Sequence, residues 1–209
     1  MSDTPPPEQT NNRARFFANL GSGAKGFARL PGVFSGWREL RIDADPSVSP
    51  DILADVTDLS AIESGSVDAV YSAHCLEHLF LHQVGAAIAE AYRILSDDGF
   101  LFVIVPDLQA IAEYIVNDRL HEVVYQSAAG PVTAHDMIYG FSPYLARGKN
   151  GMAHHCGFTP GLLLRNLQAA PFAEIVMKRR SNQELAAVAR KRAPADDAER
   201  EAFLAGLEL

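Results

Sequence analysis

Short apolar runs alternate along the chain with longer amphipathic stretches, and this alternation predicts the secondary structure. Residues Phe16 to Leu20 are apolar and stop at glycines, which is typical of a buried strand. Residues Phe100 to Val105 are continuously apolar, as expected for a strand that is covered on both faces. Five further strands are predicted at residues 39–42, 51–55, 67–72, 173–177 and 185–189.

Helices are indicated where apolar residues recur at steps of three and four. One such face runs from Leu81 to Leu95, and we expect Gly99 to supply its left-handed cap. Asp107 is a candidate N-cap of the next helix. Thr159-Pro160 predicts the N-cap and first residue of a third helix.

This order of elements predicts an α/β fold. We expect a doubly wound, mostly parallel seven-stranded sheet with an antiparallel edge strand. Segment 24–38 lies where the first crossover helix would be, but Pro31-Gly32 and Gly36 interrupt any helical pattern. A short helix or an irregular loop is therefore predicted there.

The 209 residues predict one domain of ordinary size. Residues 1–12 contain three consecutive prolines and predict a disordered tail. Residues 13–193 form the predicted domain, within which 121–158 has no clear period and is interpreted as a variable segment on the substrate side. Residues 194–209 predict a short amphipathic helical tail.

Composition narrows the classes of partner. The net charge of −8 argues against a protein that tracks nucleic-acid phosphates. No apolar run reaches the length of a membrane helix, and the N-terminus has no signal pattern. Cys75 and Cys156 show neither zinc nor disulfide spacing, which favours a reducing, cytoplasmic setting.

The glycine-rich turn after the first strand is the strongest indication of a ligand. Gly21, Gly23 and Gly26 match G-x-G-x-x-G, and Asp43 lies 20 residues after Gly23. Read literally, this fingerprint predicts a dinucleotide and an NAD-dependent oxidoreductase. That mechanism also needs a helix whose N-terminus faces the pyrophosphate, and Pro31-Gly32 leaves little room for one.

A wider pattern favours another ligand. Five stretches in order resemble the class I, Rossmann-like, S-adenosylmethionine-dependent methyltransferases, in particular the group called methyltransferase type 11. These stretches are Asn19–Gly23, Arg41–Pro46, Asp51–Leu59, Ser66–Leu79 and Ile94–Phe100. The resemblance covers residues 16–107 well and 136–190 more loosely. It implies the Rossmann-like methyltransferase fold, with S-adenosylmethionine as the cofactor and S-adenosylhomocysteine as the product.

The resemblance also implies roles for single residues. Gly21 and Gly23 would let the backbone pass against the methionine part of the cofactor. Asp43 would accept hydrogen bonds from the ribose hydroxyls, and Asp55, with Val56 beside the ring, would meet the adenine amino group. The end of the fourth strand would lie under the sulfonium. The full expected cofactor set is Asn19, Gly21, Ser22, Gly23, Asp43, Ala44, Asp55, Val56, Ser72 and His74.

Three histidines are candidates for the chemistry. Methyl transfer to oxygen benefits from a base, and histidine is the usual one near neutral pH. His154 and His155 lie in the irregular segment after the fifth strand, and His74 lies where the fourth strand ends. Each also has a plain structural interpretation, as a loop side chain or one bonded to backbone.

His74 to His78 spell H-x-x-E-H, an inverted zinc-protease motif. That motif needs both histidines on one helical face, whereas His74 falls at a strand end, so no metal site is predicted. The sequence predicts a methyltransferase that acts on an oxygen atom of a small molecule or glycan. The alternatives are the NAD-dependent oxidoreductase and a non-catalytic accessory protein that binds S-adenosylmethionine.

Overall fold

The computed structural model describes residues 14–26 and 30–207, and the predicted disordered tail, residues 1–12, lies outside them. Nine strands are present in this part of the chain. They are β1 (Phe16–Leu20), β2 (Arg38–Asp43), β3 (Ile52–Leu53), β4 (Val67–Ala73), β5 (Leu95–Pro106), β6 (Val123–Ser127), β7 (Gly130–Thr133), β8 (Glu174–Arg179) and β9 (Glu184–Arg190).

Seven of these strands form one sheet in the order β3-β2-β1-β4-β5-β9-β8. The pairs from β3 to β5 are parallel, whereas β9 runs antiparallel to both of its neighbours. The predicted sheet of seven mostly parallel strands, with antiparallel pairing at one edge, is therefore confirmed. The remaining strands, β6 and β7, form a separate antiparallel hairpin.

Six α-helices accompany the strands. They are α1 (Leu81–Ile94), α2 (Leu108–Val116), α3 (Ala134–Tyr139), α4 (Ser142–Leu145), α5 (Pro160–Gln168) and α6 (Asp197–Gly206). Both predicted N-caps are confirmed: the Asp107 carboxylate accepts backbone N–H groups at the start of α2, and the Thr159 hydroxyl accepts that of Leu162. Among the described residues, no helix is both long and apolar enough to cross a membrane.

The cap predicted at Gly99 is wrong. α1 ends at Ile94, and Leu95 pairs at once with Val67, so no turn separates the helix from β5. Gly99 lies inside β5 without a left-handed φ. A Cβ atom there would lie 2.9 Å from the carbonyl oxygen of Ser96, so close backbone packing is what requires glycine.

The two faces of the sheet have different cores. One face is aliphatic and includes Leu20 and Ile42 from the sheet, Ile88 from α1 and Leu163 from α5. The other face is largely aromatic, with Phe17, Tyr71, Phe100 and Phe102 buried together with Phe34 and Leu207. Both faces are thus covered, which is why the central strands read as apolar runs.

The first crossover is irregular, as predicted. Its described residues, 21–26 and 30–37, contain one 3-10 helix at Gly32–Phe34 and no α-helix. The Phe34 ring stacks on Phe17 with centroids 4.3 Å apart, and Trp37 contacts Phe34 and Phe100, so aromatic side chains of this segment cover the sheet where a helix would otherwise pack. Segment 121–158, for which no element was predicted, forms the β6–β7 hairpin, α3, α4 and a 3-10 helix at Asn150–Met152.

The strand order fixes where a ligand can bind. The chain leaves β1 toward β2 on one side, and β4 lies on the other, so the order reverses between β1 and β4. In open α/β sheets, ligands bind beyond the carboxyl ends of the strands at such a point. The loops after β1, β2, β3 and β4 therefore form the candidate site.

Candidate active site

The loop after β1 packs against Cys75, which lies two residues after the end of β4. Gly21 and Gly23 both adopt left-handed conformations, with φ of 64° and 60°. A Cβ atom at Gly21 would lie 2.7 Å from the Cys75 Sγ atom. Glycine is therefore required at position 21 both by the backbone conformation and by the packing of Cys75.

The Asp43 carboxylate closes this loop from the end of β2. One of its oxygens accepts the Gly23 N–H at 2.9 Å, and the other accepts the Asp45 N–H at 2.9 Å. A carboxylate offers about four lone-pair positions, so two remain for further donors. Asp43 can therefore take hydroxyl donors from a ribose without giving up its own backbone contacts.

Asp55 holds the corresponding position after β3. Its carboxylate accepts the Thr57 N–H at 2.8 Å and the Thr57 hydroxyl at 2.7 Å, and the side chain is exposed. Val56 beside it is buried in the aliphatic core, whereas Ala44 after Asp43 is exposed.

The two acids share one neighbour. Burial, together with the carboxylates of Glu77, Asp43 and Asp55, raises the pKa of the Cys75 thiol to about 12. Asp43 and Asp55 therefore both lie close enough to Cys75 for their charges to act on it. Because Cys75 contacts Gly21, the two carboxylates flank the same end of the sheet as the glycine loop. The thiol remains protonated at neutral pH and is unsuited to nucleophilic chemistry.

Arg41 is a structural residue of the site that the sequence interpretation missed. Its buried guanidinium donates to the carbonyl oxygens of Gly23, Val48 and Ser49, which joins the loop after β1 to the loop after β2. Asn19 joins β1 to β2 through its side chain, because its amide donates to the Glu39 carboxylate at 2.7 Å.

Two other predicted cofactor contacts, Ser72 and Ser22, are buried. Ser72 is 1% exposed and lies among Leu20, Leu76 and Ile88 under α1. Ser22 is also buried, and its N–H donates to the Ile42 carbonyl oxygen at 3.2 Å.

His74 occupies the end of β4 in a left-handed conformation with φ of 51°. Its Nε2 atom lies 2.8 Å from Glu184 Oε1, and its Nδ1 atom lies 3.3 Å from Glu77 Oε1. Desolvation lowers the pKa of His74, but the hydrogen bond to Glu184 and the nearby Glu77 carboxylate outweigh it and raise the pKa to about 10. At neutral pH His74 is therefore an imidazolium, which cannot act as a general base.

His154 and His155 are adjacent in sequence but differ in environment. The His154 ring is half-buried 4.9 Å from the ring of His78, and burial lowers the pKa of His154, so the ring is neutral. His155 is exposed, and its ring stacks on Phe80 at 4.4 Å. The structure thus brings the side chain of His154, rather than that of His155, close to the Glu77 carboxylate.

Glu77 and Glu184 are candidate site residues that the sequence interpretation did not select. Both are buried carboxylates, at 1% and 6% exposure, and both contact His74. Glu77 belongs to the H-x-x-E-H stretch, which was the signal that could have indicated it. Glu184 comes from β9, and no pattern in the chain links it to His74.

Comparison with known proteins identifies the fold and the domain. Residues 35–103 match the family model described as a methyltransferase domain, which spans β2 to most of β5. No curated protein sequence matches the chain.

Many solved structures are similar. An S-adenosylmethionine-dependent methyltransferase from Archaeoglobus fulgidus shares 11% identity at a TM-score of 0.57, over 85% of this chain and 86% of that one. A second such enzyme, from Methanosarcina mazei, shares 14% identity at a TM-score of 0.56, over 87% of this chain and 94% of that one. A third, the 1,6-didemethyltoxoflavin-N1-methyltransferase from Burkholderia thailandensis, has S-adenosylhomocysteine bound and shares 17% identity at 0.51, over 87% and 72%.

The arrangement of the site agrees with these comparisons. The described part of the first crossover offers no α-helix to a pyrophosphate, which argues against the dinucleotide alternative. Asp43, Asp55 and the glycine loop instead suit an adenosine whose linkage carries no phosphate. The domain match and the shared fold thus agree with the resemblance that the motifs indicate: residues 35–103 match a methyltransferase domain, and the chain has the fold of solved S-adenosylmethionine-dependent methyltransferases.

Proposed function

We propose that the protein transfers the methyl group of S-adenosylmethionine to an oxygen atom of a small molecule or glycan. The observation that supports this most is the shared position of Asp43 and Asp55 beside Cys75, over the loop that contains Gly21 and Gly23. Two acids at adjacent strand ends can hold the two polar edges of one adenosine.

The cofactor is bound, in this proposal, along the strand ends. Asp43 accepts the ribose hydroxyls with the lone pairs that its backbone contacts leave unused. Asp55 accepts the adenine amino group, and Val56 borders the ring. The backbones of Gly21 and Gly23 lie against the methionine part of the cofactor. The sulfonium then lies near His74, at the end of β4.

The acceptor enters from the side of segment 121–158. Tyr125 in this segment is partly buried, and burial, with the charges of Glu184, Glu77 and Asp136, raises its pKa to about 12. The Tyr125 hydroxyl is therefore a neutral hydrogen-bond donor close to Glu184 and Glu77, the two carboxylates that contact His74. Phe141 and Tyr144 pack edge to face at 5.1 Å and add aromatic surface. Such a set suits a ring-shaped acceptor with hydroxyl groups.

Of the three histidines selected from the sequence, His154 is best placed to act on the acceptor. Its ring is neutral, whereas His74 is protonated and His155 points to the surface. Most of the acceleration would come from holding the acceptor oxygen and the methyl carbon about 3 Å apart. The two free cysteines support the proposed cytoplasmic location.

Methyl-labelled S-adenosylmethionine incubated with a panel of phenols, sugars, carboxylates and amines tests this proposal. We expect sustained release of S-adenosylhomocysteine with a hydroxyl acceptor, and none with amines alone. Transfer to nitrogen or carbon would contradict the oxygen assignment. Binding of the cofactor without turnover across the panel would favour the non-catalytic accessory alternative.

A further inference from the structure

Two segments that are distant in sequence bring three potential metal ligands together. Glu77 and His78 lie on the 3-10 helix Leu76–His78 that follows β4, and His154 lies just after the 3-10 helix Asn150–Met152. One ligand atom from each of these three side chains lies within 4.8 Å of the others. We call Glu77, His78 and His154 the Glu-His-His cluster.

The segments that carry the cluster are fastened to each other by the backbone. The N–H groups of His155 and Cys156 both donate to the Glu77 carbonyl oxygen, at 2.8 and 3.2 Å. The His154 N–H donates to the Tyr139 carbonyl oxygen at 3.1 Å. The geometry of the cluster is therefore fixed by the fold and does not depend on a ligand.

Hydrogen bonds also fix the tautomers of both histidines. His78 Nδ1 lies 3.1 Å from the Ala153 carbonyl oxygen, and His154 Nδ1 lies 3.1 Å from that of Met137. A carbonyl oxygen only accepts, so each Nδ1 atom carries the proton and each Nε2 atom keeps its lone pair. An imidazole whose other N–H donates to a carbonyl is the usual state of a metal-binding histidine.

Glu77 provides an independent indication of a missing cation. Its side chain is 1% exposed, and neither carboxylate oxygen has a hydrogen-bond partner among residues 14–26 and 30–207. Its closest cationic contact is His74 Nδ1 at 3.3 Å, and the His74 ring already has a shorter contact with Glu184 at 2.8 Å. A buried carboxylate with such incomplete pairing is costly, and a cation held by Glu77 and the two imidazoles would compensate it.

We propose that Glu77, His78 and His154 bind one divalent transition-metal ion of the Zn²⁺ class. Two imidazoles and one carboxylate with an open fourth position are the donor set of catalytic zinc sites. Ligand atoms on a tetrahedral ion lie about 3.4 Å apart. The ligand atoms, which now lie within 4.8 Å of one another, need to approach by up to about 1.4 Å, through side-chain rotations on a backbone that the fold keeps in place.

The position of the cluster gives the ion a role in the proposed methyl transfer, and that role rests on the proposed function. Glu77 adjoins His74 at the end of β4, where the sulfonium would lie. An acceptor hydroxyl in the open position would lose its proton to solvent and attack the methyl carbon. The C–O bond forms as the C–S bond breaks, which leaves S-adenosylhomocysteine. His154 would thus act through the ion and not as a free base.

Metal titration of the untagged full-length protein, stripped with a chelator, tests the site. Zn²⁺ should bind one ion per chain in calorimetry, and Co²⁺ should give the visible bands of a four- or five-coordinate ion. His154→Ala and Glu77→Gln should each weaken Zn²⁺ binding by at least about 100-fold, the upper end of what losing an outer-shell partner costs. His82→Ala, which removes an exposed histidine of α1, should leave the affinity unchanged.

Circular dichroism and thermal melting show whether each variant folds. If Glu77→Gln does not fold, His154→Ala, which changes a loop residue, still tests the site. The absence of stoichiometric Zn²⁺, or equal binding by wild type and His154→Ala, would overturn the metal site. S-adenosylmethionine binding is measured on the same stripped samples. Cofactor binding without metal binding refutes the metal site alone, whereas metal binding without cofactor binding supports the site and contradicts the proposed function.

Discussion

The Asp43 carboxylate accepts the backbone N–H of Gly23 at 2.9 Å, which joins the end of β2 to the loop after β1. Arg41, two residues before Asp43, donates to the Gly23 carbonyl oxygen and so holds the same residue through its other backbone group. The glycine loop and the acid that would hold the ribose are therefore positioned relative to each other before any cofactor binds. Such preorganisation lowers the entropy cost of binding.

Gly21→Ala should destabilise the protein by about 2 kcal/mol or more, because the left-handed conformation and overpacking both disfavour a side chain there. The new Cβ atom would lie 2.7 Å from Cys75 Sγ and 2.8 Å from Cys75 Cβ. Urea unfolding of wild type and variant measures the difference.

The matched control is Gly85→Ala. Gly85 lies in α1, and a Cβ atom there would meet nothing within 4 Å. This variant should be stabilised by up to about 1 kcal/mol, the helix propensity difference between glycine and alanine. Equal free energies of unfolding for the two variants would contradict the close packing of Gly21 against Cys75.

Asp136→Asn should loosen the segment that holds His154. The buried Asp136 carboxylate accepts the N–H and hydroxyl of both Thr133 and Ser142. Met137, the next residue, supplies the carbonyl oxygen that contacts His154. Losing a charged acceptor should cost about 1.5–3 kcal/mol at neutral pH.

The pH dependence of this loss follows from the pKa of Asp136. Burial raises it, but the hydrogen bonds from Ser142 and Thr133 outweigh burial, so the pKa is lowered from 3.8. The carboxylate therefore stabilises the fold above that value, and the contribution is lost as the pH falls through the folded-state pKa. Urea unfolding at neutral and at acidic pH should show the difference between wild type and Asp136→Asn shrinking in acid. A difference that does not change with pH would refute this account.

Gly140→Ala should separate acceptor chemistry from cofactor binding. Gly140 ends α3 with φ of 100°, and a Cβ atom there would lie 2.1 Å from the Met152 carbonyl oxygen. The variant should lose turnover, since the loop before His154 must move, while calorimetry should show unchanged affinity for S-adenosylmethionine. Gly151→Ala is the control, because a Cβ atom there meets nothing within 4 Å. It should keep both the turnover and the affinity for S-adenosylmethionine. Loss of cofactor affinity in Gly140→Ala alone would show that segment 121–158 is not confined to the acceptor side.

The sequence predicted those elements whose signals are local. β1 lies where its apolar run and glycines indicate, and the N-caps at Asp107 and Thr159 depend on side chains that bond backbone two or three residues away. The sheet follows from the order of such elements, because parallel strands need crossovers.

Features that depend on distant contacts were not predicted. The β6–β7 hairpin turns at Ala128 and Ala129, which carry none of the usual two-residue turn signals. The pairing of Leu95 with Val67 removed the cap expected at Gly99. Glu77 is buried and comes within 4.8 Å of His78 and His154 only through the tertiary fold, so the H-x-x-E-H letters alone could not indicate this cluster.

Isothermal titration with S-adenosylmethionine and S-adenosylhomocysteine tests the central claim, that Asp43 and the glycine loop hold the cofactor. Wild type should bind one molecule of each per chain. Asp43→Ala should weaken binding about 10- to 100-fold, as expected for lost hydrogen bonds to a charged group. Asp58→Ala, which removes an exposed acid beyond Asp55, should bind like wild type. No heat with wild type, or equal affinity for wild type and Asp43→Ala, would contradict the account.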